Sequence, residues 1–364
     1  MANGILNNQF KQRFFKNKAA VIALLFIVFA LMIGVFGYFI APDNSPNANR
    51  MIPEIGSKKP GFTILLLKES RATLQQESFF KILMSGKTEQ FSYTPITAYY
   101  FKKDSLVYTK YLDEGVTETQ TKILPNTITQ EKFKQQFIVQ QTFYLGTDKF
   151  GRDILSRLII GIRVSLSVGL IAVIISLTIG VFLGAIAGYF RGKVDDIIMW
   201  LINVVWSIPS LLLVFAITLV LGKGFWQVFI AVGLTMWVNV ARLVRGQVMA
   251  AKELEFIEAA KVLGFSNSRI IIKHILPNII GPIIVLAAAN FAGAIIIEAG
   301  LSFLGVGVQP PQPSWGLMIK ENYNFIITNN PMLALIPGLA IMLLVLAFNI
   351  LGNGLRDALQ VKTN

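Results

Sequence analysis

Side chains able to do covalent or acid–base chemistry are few in this 364-residue chain. It has one histidine, His274, and no cysteine. That removes disulfides, thiol nucleophiles and metal sites built from several His or Cys. No Gly-x-x-x-x-Gly-Lys-Ser/Thr phosphate loop occurs either, so nucleotide chemistry has no home here. Three polar residues, Asn203, Asn290 and Glu298, stand within or at the end of long apolar runs. In a membrane-spanning segment such groups face a bundle interior or a solute pathway. For Asn290 an interhelical hydrogen bond and a substrate contact both remain open. No nucleophile and base share one run, so no residue is assigned as catalytic and none as a metal ligand.

What the sequence offers instead is a surface for contact. Residues 250–277 form a polar island between two apolar segments, centred on Glu258, Ala259, Ala260 and Gly264. Phe256, Ala259, Ala260 and Leu263 recur at i, i+3, i+4 and i+7, which predicts one face of a short helix. Gly264 suits the stop, because without a Cβ it takes the left-handed conformation. Ser266 or Asn267 can cap a second helix, with Ile271, His274 and Ile275 on one side. Leu276 and Pro277 then open the next apolar segment. The expectation is helix, tight turn, helix, with small residues that admit a close neighbour. An ordinary amphipathic loop between spans is the plain alternative.

The positioning elements are membrane helices. A mean hydropathy of +0.60, with 54% hydrophobic and 15% charged residues, does not describe a soluble protein of this length. Apolar runs near 20 residues suit a hydrocarbon core about 30 Å thick. They place spans at 20–41, 164–189, 197–221, 226–244, 279–298 and 332–350. Basic residues flank the short segments on one side, which predicts both termini in the cytoplasm. A net charge of +13 comes without a basic-aromatic nucleic-acid module. The N-terminal run exceeds an ordinary signal h-region, so a retained span is expected rather than a secretory signal.

Between the first two spans, residues 42–144 change to a soluble composition. β-prone runs at 62–67, 79–84, 97–101 and 106–112 alternate with turn residues, which predicts a β-rich extracytoplasmic module. Spacer, docking surface and direct substrate handling all remain open for it. Further on, Asp148 or Asp153 can stabilise a helix start, and capping is preferred to catalysis. The apolar Ile154, Leu155, Leu158, Ile159 and Ile162 oppose Arg152, Arg157 and Arg163, as in an interfacial helix. Gly180, Gly184 and Gly188 repeat every four residues and predict close helix packing. Pro209 should break the third span.

Several of these stretches resemble one family. Glu258-Ala259-Ala260, then Gly264, then Leu276-Pro277 is similar to the cytoplasmic loop of ABC importer permeases. His274 replaces the usual Ile, as is common in the peptide and nickel branch. Gly146-Thr147-Asp148, with Gly151-Arg152-Asp153, resembles a motif of dipeptide and oligopeptide permeases. Glu298 to Gly316, and Leu351 to Leu359, resemble the outer loop and tail of the same branch. Asn203, Asn353 and Gln360 stand where that branch often has Asp.

The resemblance, to C-type subunits, implies an all-α integral membrane protein of the type I ABC importer permease fold, with six transmembrane helices and the β-rich insert between the first two. Its parts would be a cytoplasmic segment 1–19, a first span 20–41, an insert 42–144, a permease core 145–352 and a cytoplasmic tail 353–364. Glu258, Ala259, Ala260, Gly264, His274, Leu276 and Pro277 would belong to the loop that couples to an ATPase. Asn203, Asn290 and Glu298 would be pathway candidates. The chain would need no cofactor of its own, with ATP and Mg held by two partner ATPase subunits. A second homologous permease, an extracytoplasmic substrate-binding protein and the inner-membrane bilayer complete the implied partners. The function implied is import of dipeptides or oligopeptides by alternating access, without enzymatic activity on this chain. Nickel or other small-solute import, and peptide export, are the nearer alternatives. A channel would need a filter or charged ring, which the sequence lacks. A membrane-embedded hydrolase would need a base beyond His274.

Overall fold

The computed structural model describes residues 8–71, 77–125, 129–327 and 330–359. The first seven residues of the N-terminal segment, and Gln360 with the rest of the tail, lie outside them. Among the described residues, five helices are long and apolar enough to cross a membrane: α2 (Lys18–Ile40), α5 (Ile154–Phe190), α8 (Phe225–Lys252), α10 (Asn267–Leu304) and α12 (Met332–Leu359). A further pair, α6 (Gly192–Trp206) and α7 (Ser210–Leu221), passes the same test together but is bent by 90°. The break falls at Ser207–Pro209, where the proline has no N–H to continue the ladder. Short α1 (Asn8–Lys16) precedes them, and α9 (Glu255–Val262) and α11 (Trp315–Asn322) lie between them in the chain. The chain divides into two compact units, 1–31 with 164–309 and 339–364, and 32–163 with 310–338.

In the first unit, glycine sets the helix contacts. A Cβ on Gly180 would lie 2.4 Å from Val240 Cβ, one on Gly184 2.4 Å from the Ala241 carbonyl oxygen, and one on Gly188 2.6 Å from that of Arg245. The four-residue glycine repeat therefore lets α5 and α8 meet backbone to backbone. Around this seam, Val240, Val244 and Val248 share one core with Ile257, Ala260, Ile270 and Ile275. A second core joins Val164, Val168 and Ala172 to Val228, Phe229, Val232 and Leu301.

The second unit holds an antiparallel sheet of five strands, ordered β4-β3-β2-β1-β5. These are β1 (Phe62–Ser70), β2 (Phe91–Lys102), β3 (Ser105–Asp113), β4 (Val116–Ile123) and β5 (Ile138–Phe143). Lys103-Asp104 and Glu114-Gly115 make two-residue hairpin turns, with positive φ at Lys103 and Gly115, as such turns require. Both faces of β1 are covered. Ile64 and Leu66 pack with Ile52, Ile55 and Phe143 on one side. Leu67 packs with Ile96, Leu106 and Phe133 on the other. That double burial explains the unbroken apolar run of β1. The run at 79–84, expected as a strand, is instead helix α3 (Phe79–Ser85), closed by Gly86 at φ +80°. A short apolar run does not distinguish helix from strand by periodicity. Helix α4 (Gln130–Phe137) supplies Phe133 to the core.

Candidate functional site

The polar island between α8 and α10 is built as a helix and a tight turn on a fixed base. Lys252 ends α8 and donates to the Tyr189 carbonyl at 2.7 Å. The Tyr189 hydroxyl donates to Asn267 Oδ1 at 2.8 Å, so the end of α5 grips both sides of the loop. Arg191 and Glu253 pair at 2.9 Å in solvent, where such a bond contributes little. After α9, Gly264 has φ +76°. Its N–H donates to the Lys261 carbonyl, and that of Phe265 to the Ala260 carbonyl. This double bond to the last helical turn is the left-handed stop that the glycine predicts.

The buried face of α9 differs from the one that spacing predicts. Ile257 and Ala260 are buried, while Phe256, Ala259 and Leu263 are exposed. Because α9 is only eight residues long, the surrounding core selects Ile257 as its anchor. Leu254, Phe256, Val262 and Leu263 are left outside, with Val262 at 89% and Leu263 at 71% exposure. Glu258 is exposed near the N-terminal turn, where a carboxylate suits the helix dipole.

Beyond the turn, Phe265 contacts two side chains of the next helix. His274 stacks on it with ring centroids 5.7 Å apart, and the Arg269 guanidinium carbon stands 4.0 Å from its centroid. His274 is thus half-buried as a packing partner. Ser266 holds the cap position without a side-chain bond, since Asn267 is engaged by Tyr189. Ile271 and Ile275 lie toward the core as expected. The second short helix and the following span are one continuous element, α10, rather than two. A π turn at Ile270–Ile275 carries the helix into Leu276 and Pro277, where the missing proline N–H is accommodated.

The polar residues of the spans have separate surroundings. Asn203 lies one turn before Ser207, where the break begins, and its Oδ1 accepts from Arg242 Nη2 at 3.1 Å. The Arg242 guanidinium lies 3.7 Å over Trp206. Asn290 and Glu298 are both buried on α10. Glu298 Oε1 accepts the Ser302 hydroxyl at 2.6 Å, and Ser302 Oγ in turn accepts the Val308 N–H. This pair holds the turn after Gly305, whose φ is +83°. Asn290 Nδ2 has no hydrogen-bond partner among the described residues.

A charged cluster was missed by the sequence reading. Arg152 and Arg157, expected on a polar helix face, are 1% and 0% exposed. Arg152 Nε donates to Asp148 Oδ2 at 2.6 Å and its Nη2 to Glu321 Oε2 at 2.7 Å. Arg157 Nη2 reaches the same Glu321 oxygen at 3.4 Å. Asp148 also accepts the N–H groups of Phe150 and Arg152. Asp153 caps α5 by accepting the Ser156 N–H at 2.9 Å. Burial pushes the Asp153 carboxyl above the usual range, opposed by its bonds from Ser156. Glu321 is carried by α11, where Ser314 Oγ accepts the Leu317 N–H and Trp315 Nε1 donates to the Leu158 carbonyl. Gly161 leaves the room: a Cβ there would lie 3.0 Å from Trp315. The only sequence signal was the density of acids and arginines in 148–157.

Residues 180–364 match the family model described as "binding-protein-dependent transport system inner membrane component". Residues 8–56 match one described as the "N-terminal TM domain of oligopeptide transport permease C". The chain is 46% identical over 219 residues to a dipeptide transport system permease protein of Alkalihalophilus pseudofirmus, covering 60% of this chain and 72% of that one. It is 43% identical to a glutathione transport system permease protein of Pectobacterium atrosepticum, with the same coverage of both chains. An oligopeptide transport system permease protein of Bacillus subtilis is 41% identical, again covering 60% of this chain and 72% of that one.

Proposed function

Because the chain belongs to the binding-protein-dependent transport system inner membrane component family, we propose that it is the C-type permease subunit of an ABC importer for short peptides. The names of its relatives, for dipeptides, oligopeptides and glutathione, support that substrate class. It is a transporter subunit and not an enzyme. In this reading the bent pair α6–α7 counts as one span, giving six transmembrane helices of the type I importer fold with both termini in the cytoplasm. The 42–144 insert then lies outside.

The observation that carries the mechanism is the form of the α9 loop. A short helix stopped at Gly264 presents Leu254, Phe256, Val262 and Leu263 beside Glu258. Exposed apolar residues grouped with a charge form a surface for a protein partner. Its base is tied by Lys252, Tyr189 and Asn267. Glu258, Ala259, Ala260 and Gly264 would meet an ATPase subunit, while His274, Leu276 and Pro277 hold the exit of the turn. ATP and Mg would be bound on two such ATPase subunits. A second permease and an extracytoplasmic binding protein would complete the assembly.

Asn290 supplies a polar group for the pathway, since its buried Nδ2 has no partner among the described residues and a buried polar group calls for one. Asn203 and Glu298 are engaged by Arg242 and Ser302 and would act through those contacts. The test is uptake of radiolabelled di- and tripeptides by vesicles carrying the assembled complex. ATP-dependent accumulation is expected, and transport of nickel without peptide would overturn the assignment.

A further inference from the structure

The sheet of the second unit carries a lysine where packing alone disfavours one. Lys68 lies on β1, an interior strand, on the same face as Ile64 and Leu66. That face is covered by the Ile52–Ile55 turn. Lys68 itself is half-buried, so its charge loses part of its hydration. Lys68 has no ion pair among the described residues; its Nζ lies 5.9 Å from the Phe91 ring centre. Burial pushes its ammonium below the ordinary value, the charges of Arg50 and Lys87 push it further, and Glu89 opposes them.

These groups line a cavity of about 400 Å³ over β2, β1 and β5, within the size range of small-ligand sites. Three cations face it, Arg50, Lys68 and Lys87, against one carboxylate, Glu89. That carboxylate is already taken: Arg50 Nε donates to it at 2.8 Å, and Asp43 lies 3.6 Å from the same guanidinium. The Arg50 guanidinium also stacks on Tyr93 at 4.1 Å, so its position is fixed. Among the described residues, the ammonium groups of Lys68 and Lys87 therefore remain without a counter-charge. A second cavity of about 500 Å³ shares Arg50, Glu89 and Tyr93, which makes the pair a cleft in two lobes.

We propose that this cleft of the β module binds the C-terminal carboxylate of a short peptide, held by Lys68 from the sheet and Lys87 from the rim. Peptide is named as the ligand because the chain is read as a peptide permease; the anionic preference stands on the cleft itself. The lobes suit a few residues rather than the surface of a folded protein.

The test is isothermal titration of the full-length permease in lipid nanodiscs, without ATPase subunits. Three probes are compared: a pool of tripeptides with free C-termini, the same pool amidated, and inorganic phosphate. The free-acid pool is expected to bind, and the other two to bind at least ~10-fold more weakly, as loss of a charge-assisted bond implies. Lys68→Gln with Lys87→Gln should weaken the free-acid pool by at least ~10-fold, while Lys68→Arg stays near the parent. If the double variant does not fold, Lys87→Gln alone, at an exposed position, should still weaken binding ~3-fold. No heat from the free-acid pool, equal affinity for the amidated pool, or phosphate binding as tightly as peptide overturns the proposal. Loss of vesicle uptake with binding retained would sink the transport reading and leave this site standing.

Discussion

Arg152 and Glu321, 169 residues apart in sequence, meet at 2.7 Å with the arginine almost wholly removed from solvent. Glu321 also neutralises Arg157, so one carboxylate serves two buried guanidinium groups. Removing one member of a buried charge pair costs about 3–5 kcal/mol when the other is left uncompensated; here Asp148, 2.6 Å from Arg152, offsets part of that loss. Glu321→Gln should therefore lower the thermal unfolding midpoint of the purified permease clearly, and Glu321→Asp should lower it less. An unchanged midpoint for Glu321→Gln would show that the Glu321 contacts contribute nothing to stability.

Gly264 gives a sharper test of the loop than a simple knockout. A Cβ there meets nothing within 4 Å in this chain, so the residue is required for its φ of +76° alone. Asn tolerates that conformation, whereas Val is strained by about 1–3 kcal/mol. Gly264→Asn should retain ATPase pull-down and uptake, and Gly264→Val should lose both at normal membrane abundance. Were both variants equally active, the turn would not be the coupling element.

The α5–α8 seam should tolerate no side chain. Gly184→Leu would drive atoms into the Ala241 backbone, and overpacking typically costs about 1–3 kcal/mol. Lower yield of folded protein by size-exclusion chromatography is expected. Gly246→Leu, where the space is open, serves as the control and should behave as the parent.

The absence of native cysteine makes topology direct to read. Lys87→Cys should react with a membrane-impermeant maleimide on intact cells, and Lys261→Cys only after permeabilisation. Labelling of Lys261→Cys from outside would invert the proposed orientation.

The long apolar helices were legible because lipid imposes a local composition, and a run such as 20–41 carries that signal without its neighbours. Gly264 and Pro209 were legible for a similar reason: each acts through its own backbone geometry. The sheet was legible only in part. Val116–Ile123 alternates Thr, Glu, Gln and Lys, a polar edge strand that avoids further pairing and so hides its β character. Which side of α9 is buried depended on the core around Ile257, which spacing alone does not specify. The Arg152–Glu321 contact joins distant segments, and the cleft at Lys68 needs the register of three strands. Neither is written in any short stretch of residues.

The glycine seam has a mechanical consequence. Where side chains interdigitate, rotamer changes let one helix creep along another. Gly180, Gly184 and Gly188 bring no side chain to the contact and meet the backbone and valine Cβ atoms of residues 237–248 directly. The two helices form a joint without play, and the loop is tied to its end through Tyr189 and Lys252. A load applied at α9 cannot be absorbed as slippage along that joint, so it is delivered as torque on both helices together.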